Sequence, residues 1–131
     1  MLNHLARQYA DSDTAVVITD VDFSATGPTI LFSNAAAQRM TGYAPSEMVG
    51  RTPRMLQGAG TTLAARKALA RAIRRDDRST VVIRNYRKNG EPYDCAISVQ
   101  ILRDAAGVPT LALALEHERP IRAGRRRTFG D

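Results

Sequence analysis

The stretch STVVIRNYRKNGEPYDCAISVQILRDAAGVPTLALALEHE, residues 79–118, decides the fold. Its β-branched and alternating apolar residues read as three strands, with NGEP as one tight turn and DAAGVP as the next. Short links between consecutive strands make them antiparallel. Side chains alternate across a strand, so the faces follow. In the first strand Val81, Ile83 and Asn85 share a face, and a polar Asn in line with two β-branched residues is unusual. In the second, Tyr93, Cys95, Ile97, Val99 and Ile101 lie opposite Asp94, Ala96, Ser98 and Gln100. In the third, Leu111, Leu113 and Leu115 share one face, and Ala112, Ala114 and Glu116 the other. Both faces of that strand are largely apolar. Either the Leu row is the core, or the Ala row looks inward and leaves room for a ligand. In the second case the Leu row needs a cover to avoid becoming an exposed apolar strip. Periodicity alone does not choose.

Upstream, TTLAARKALARAIRRDD (61–77) reads as the longest helix, with Ala65, Ala68, Leu69, Ala72 and Ile73 on one face and Lys67, Arg71, Arg74 and Arg75 on the other. GRTPRMLQG (50–58) reads as a short helical turn. Thr52 caps it, Pro53 takes its first position, and Arg54 and Gln57 lie three apart on one face. APSEMVG is a single turn closed by Gly50, and AAAQRMTGY a helix capped by Asn34 and stopped by Gly42. AVVITD (15–20) and ILFSN (30–34) form a hairpin with a longish loop. Leu2, Leu5, Ala6 and Tyr9 mark a short amphipathic helix, too short to stand alone. The fold class is α+β: two strands, several short helices, one longer helix, then three antiparallel strands.

The chain has 131 residues, enough for one domain. The single cysteine, Cys95, makes no internal disulfide, and a reducing cytoplasm is the natural setting. His4 and His117 are far apart and have no nearby ligand set, so no metal site is expected. No apolar run approaches the roughly 20 residues of a membrane span, and the N-terminus lacks the apolar segment of a secretory signal. Net charge is +6, of which residues 119–131 carry five Arg and one Asp, or +4, leaving +2 for the other 118. The body is not a strongly basic surface. The tail reads as disordered, a solvated basic end rather than a nucleic-acid arm.

Taken in order, VVITD, FSNAAAQRMTGYAPSEMVGRTPRMLQG, NYRKNGEPY and ILRDAAGVPT resemble a PAS domain, specifically its light-oxygen-voltage (LOV) branch. The resemblance covers residues 15–118, between a cap helix in 1–14 and the basic tail at 119–131. It implies a five-stranded antiparallel sheet with short helices and one longer helix packed on one face, around a ligand pocket. LOV domains bind FMN and answer blue light through a cysteine that bonds to the flavin, in the motif Asn-Cys-Arg-Phe-Leu-Gln. Here the motif reads Thr52-Pro53-Arg54-Met55-Leu56-Gln57. Pro53 falls at the cysteine position and has no thiol, so the resemblance implies no adduct from that position. Arg54 then matches a phosphate-contacting arginine, Gln57 a residue near the ribityl chain, and Asn85 the first of two asparagines at the flavin's pyrimidine edge. The second falls at Cys95. A second phosphate arginine falls at Ala70, with Arg66 one turn earlier as a substitute. The switch glutamine of the last strand falls at Glu116. This alignment turns Ala112, Ala114 and Glu116 inward and the Leu row outward.

The retained anchors are therefore Arg54, Gln57 and Asn85, with changes at Thr52, Pro53, Ala70, Cys95 and Glu116. Each lost buried hydrogen bond costs a ligand about 1–3 kcal/mol, so FMN stands beside an unknown ligand, or none, as the alternatives. Without the resemblance, Asn85 reads as a satisfied core amide and Cys95 as a small buried hydrophobe. Glu116 then either reaches solvent at the sheet end or is buried and needs a partner or a proton. The expected function is a cytoplasmic, non-enzymatic sensory or interaction module without a cysteine photocycle. The rival readings are an FMN flavoprotein working by photoreduction or redox sensing, and a ligand-free dimerisation domain. Expected partners are a second copy, through Leu111, Leu113, Leu115 and the N-terminal helix, and an effector. Membrane and nucleic acid are not expected partners.

Overall fold

A computed structural model describes residues 1–121. In chain order its elements are α1 (Leu2–Tyr9), β1 (Ala15–Thr19), β2 (Ile30–Ser33), α2 (Ala35–Thr41), α3 (Pro45–Met48), a 3-10 turn (Pro53–Leu56), α4 (Leu63–Arg74), β3 (Val81–Tyr86), β4 (Pro92–Arg103) and β5 (Pro109–Arg119). The strands form one sheet in the order β2-β1-β5-β4-β3, with every neighbouring pair antiparallel. The chain leaves β2 at one edge and re-enters at β3 on the opposite edge. The helical connection must therefore cross a whole face of the sheet.

On that inner face Ala15, Val17, Ile30, Val99, Ala112 and Ala114 pack under Ala36, Ala37, Met48 and Leu56, with Leu69 and Ile73 of α4 against them. On the outer face Val16, Ile18, Leu111 and Leu113 are buried under Leu2, Leu5 and Tyr9. The strand ambiguity resolves as the resemblance implied, with the Leu row outward. Its cover is α1 of the same chain. Burying each of these aliphatic side chains contributes about 1.5–3 kcal/mol, enough to hold an eight-residue helix that would not persist alone.

Asn34 ties the two faces together. Its Oδ1 accepts from Ala37 N and Val16 N, both at 3.0 Å, and its Nδ2 donates to Tyr9 O and Thr14 O, both at 2.9 Å. One side chain thus caps α2, joins the β1 backbone and pins the chain just beyond α1. Sequence reading assigned it only the cap. At the other end of α2, Gly42 takes a φ of 80°, and its N–H closes on Gln38 O at 2.8 Å.

The long helix is shorter than the sequence suggested. Thr62 caps it by accepting from Ala65 N at 3.1 Å, and Asp76 leaves the helical region with a φ of 49°. The carboxylates of Asp76 and Asp77 then accept from Ile101 N and Ser79 N, which turns the chain into β3. The boundary after residue 118 also moves: Arg119 is the last residue of β5, opposite Asp94. The rest of the expected basic tail, 122–131, lies outside the described residues.

Candidate functional site

A cavity of about 140 Å³ lies between the inner sheet face and the helical connection. Its floor is Val17 and Thr19 of β1, Val99 of β4, and Ala112, Ala114 and Glu116 of β5. Ala114 sits in register between Val17 and Val99, so two short side chains on the central strand leave the gap. Leu69 and Ile73 form one wall, and Thr52, Pro53, Arg54 and Gln57 another. The cavity continues into a wider mouth of about 290 Å³, where Arg54 and Gln57 face Arg66, Ala70 and Arg74 of α4.

The 3-10 turn is placed by its own residues. Thr52 Oγ1 accepts from Arg54 N at 3.4 Å, and Pro53 occupies the first turn, where no N–H is needed. Beyond the turn, Gly58 passes against the Tyr86 ring, where an added Cβ would lie 2.6 Å from ring carbons. The Tyr86 hydroxyl accepts from Gly60 N at 2.6 Å. These contacts hold the 3-10 turn against the β3 edge.

Arg54 reaches across to the loop between β1 and β2. Its guanidinium donates to Gly27 O at 2.8 Å, Ala25 O at 3.0 Å and Ser24 O at 3.2 Å. It clamps that loop over the mouth, so an anion entering there competes with three carbonyls for the same N–H groups.

Glu116 is 5% exposed. Its hydrogen-bond partner is the Cys95 thiol, Sγ to Oε1 at 3.4 Å. Burial raises its pKa from 4.5 to about 7, and the thiol bond opposes that rise only in part. The Cys95 thiol is itself held protonated, first by burial and then by the Glu116 charge. The reading that let Glu116 reach solvent is corrected: the inner face closes over it. Cys95 is a free cysteine and is buried.

Of the residues singled out from sequence, Thr52, Arg54, Gln57 and Glu116 line the cavity and Arg66 lines its mouth. Asn85 and Cys95 do not line it. They belong to a layer in which Met40, Ala65 and Leu69 pack over Ile83, Tyr93 and Cys95, with Asn85 in register with Tyr93. Tyr93, 1% exposed, is the polar residue sequence reading left among the apolar ones. Among the described residues its Oη has no hydrogen-bond partner by distance and angle, and Arg87 stacks on its ring at 4.5 Å. Burial, and after it the charges of Cys95 and Glu116, push the Tyr93 hydroxyl pKa up, against the opposing pull of Asn85 and Arg87. Among the described residues no group of three His, Cys, Asp or Glu is placed to hold a metal ion, and no helix is long and apolar enough to cross a membrane.

The chain is similar to known proteins over this same span. Over 76 residues it is 40% identical to a blue-light-activated histidine kinase of Erythrobacter litoralis, a match that takes in 58% of this chain and 22% of the kinase. It spans about a fifth of the length of the curated relatives it matches. Among solved structures, a light-oxygen-voltage domain studied with a flavin analogue superposes with a TM-score of 0.78 at 27% identity, covering 96% of this chain and 90% of that one. The LOV domain of a blue-light activated histidine kinase from Erythrobacter litoralis superposes at 0.73 and 29%, covering 82% and 97%. The model of the PAS domain matches residues 13–117, from just before β1 to near the end of β5, and the chain therefore belongs to the PAS domain family.

Proposed function

We propose that this chain is the sensory module of a signalling protein of the LOV branch, holding a flavin in the cavity and working without a cysteine adduct. The carrying observation is the cavity itself: an apolar slot floored by Ala112 and Ala114, with Gln57 and Glu116 as polar groups and arginines at its mouth. That donor set fits FMN. The slot together with its wider mouth would hold the ring, Gln57 and Glu116 would meet its polar atoms, and Arg66 and Arg74, with Arg54 if it releases the loop, would hold the phosphate. A bound flavin would supply blue-light absorption and electron acceptance. The apolar residues of the cavity would exclude water from the ring and hold it against the sheet, and Glu116 would carry its state into β5.

The adduct-free reading rests on Pro53 at the head of the 3-10 turn and on Cys95 buried against Glu116. The chain is non-enzymatic in this reading, acts in the cytoplasm, and passes its signal to an effector. Dimer formation through Leu111, Leu113 and Leu115 requires α1 to lift or to exchange with a second copy, because α1 covers that row. A second reading, a ligand-free PAS interaction domain, is favoured by one observation: Arg54 is already held by the loop carbonyls.

Absorption spectroscopy of the protein purified with added FMN tests this. Flavin bands that persist through gel filtration, with no thiol-adduct bleaching under blue light, are expected. A protein that stays colourless overturns the flavin reading. Reversible bleaching that Cys95→Ser abolishes overturns the adduct-free one.

A further inference from the structure

The cavity contains one ionisable group that no cation answers. Glu116 faces the cavity with Ala112 and Ala114, and its described hydrogen bond is to the neutral Cys95 thiol. None of the described ion pairs includes it. Around it stand Cys95 and Tyr93 from β4, Arg54 and Gln57 across the cavity, Asp13 and Arg39 in a shallow surface depression, and His117 and Glu118 along its own strand. The arginines that line the same two openings are engaged or exposed. Arg54 is committed to the loop carbonyls, and Arg39 is exposed. An ionised carboxylate here loses its hydration and gains one weak thiol donor in return.

The two protonation states recognise different chemistry. A neutral carboxyl offers one O–H donor and one acceptor, the same pair a glutamine amide presents, whereas a carboxylate only accepts. We infer that Glu116 is the specificity-determining group of this cavity, and that only its neutral form, which offers a hydrogen-bond donor, admits an uncharged planar heterocycle. Occupancy is therefore coupled to one proton: a ligand of this class binds the protonated protein, and binding at alkaline pH takes a proton up. A pKa of about 7 in the free protein places that coupling in the neutral range. This rests on the ring-binding reading above and adds to it which state of the site binds.

Riboflavin is the suitable probe, because it has the ring and lacks the phosphate that the mouth arginines would hold. Wild type and Glu116→Gln are titrated by flavin fluorescence at about pH 6 and about pH 8.5, where one ionisation near 7 changes the binding-competent fraction by more than tenfold. Wild-type calorimetry at the higher pH, in two buffers of different ionisation enthalpy, counts protons independently of any variant. The expected result is wild-type affinity at least about tenfold weaker at the higher pH, flat affinity for Glu116→Gln, and uptake of about one proton per riboflavin. Wild-type binding that ignores pH, or no proton uptake, overturns the inference and leaves the flavin reading standing. Failure of both proteins to bind at either pH overturns the ring-binding reading and the assigned ligand with it.

Discussion

The two faces of the sheet are built from the same strands to opposite ends. On β5 the outward residues Leu111 and Leu113 are large and covered, while the inward residues Ala112 and Ala114 are small and border open space. On β1, Val16 and Ile18 look outward and Val17 inward, and all three are buried. The outer face is finished by α1, a helix from the same chain. The inner face is roofed by a connection that spans from one sheet edge to the other and does not fill the space beneath it. Stability is concentrated where large residues meet a cover, and binding capacity where small residues leave a gap. The buried carboxyl in that gap, Glu116, belongs to the less filled face.

Substitutions that swap the properties of the faces test this contrast. The largest effect is expected from Leu113→Glu. Leu113 is 3% exposed beneath α1, so a carboxylate there is buried without a partner. The loss should be several kcal/mol, comparable with the roughly 5–15 kcal/mol of a whole domain. Thermal unfolding by circular dichroism should show an unfolded or greatly destabilised chain. A well-folded monomer would mean that α1 does not cover the Leu row in solution.

Glu116→Gln is next. The folded pKa of Glu116 is raised from 4.5 to about 7, so the folded state holds a proton that the unfolded state has released. Its stability is therefore intact below about pH 4.5, declines as pH rises through the window up to about 7, and stays reduced above it. The variant should be more stable than wild type by up to about 3 kcal/mol at pH 8 and no more stable below pH 4.5. Denaturant unfolding across pH measures this, and parallel curves for the two proteins would remove Glu116 as an ionisable burden on the inner face.

The smallest effect is expected from Ala112→Val, which adds two methyl groups at the cavity floor. Where a void receives the extra atoms, the change in stability should stay within about 1 kcal/mol, while flavin binding should fall. A loss of about 3 kcal/mol would show that the inner face is as tightly filled as the outer one.

Much of this was legible in residues 79–118. Alternation there separated Tyr93, Cys95, Ile97 and Val99 from Ser98 and Gln100, and the turns at NGEP and DAAGVP appear where they were expected. Gln57 reaches the cavity from a short, gap-free turn, and Glu116 reaches it by alternation along β5, on the face of Ala112 and Ala114. Asn85 and Cys95 do not, although they share the inner face. Facing a side of a sheet is a local property, whereas lining a cavity depends on which helical side chains come down on that side. Over the cluster of Ile83, Tyr93 and Cys95 those are Met40, Ala65 and Leu69. Asn34 carried a legible cap, but its bonds to Tyr9 and Thr14 span 25 and 20 residues and have no local signature.

By itself the sequence determined the element types, the alternation of faces, the capped 3-10 turn and the proline at its head, because these follow from dihedral preferences and spacing over a few residues. Only the tertiary structure decided that α1 covers the Leu row, that Arg54 is held by the loop before β2, and that Glu116 is closed off from water beside Cys95. Each of these depends on segments far apart in the chain, and the free energy of a buried or paired group is set by what surrounds it, not by what precedes it.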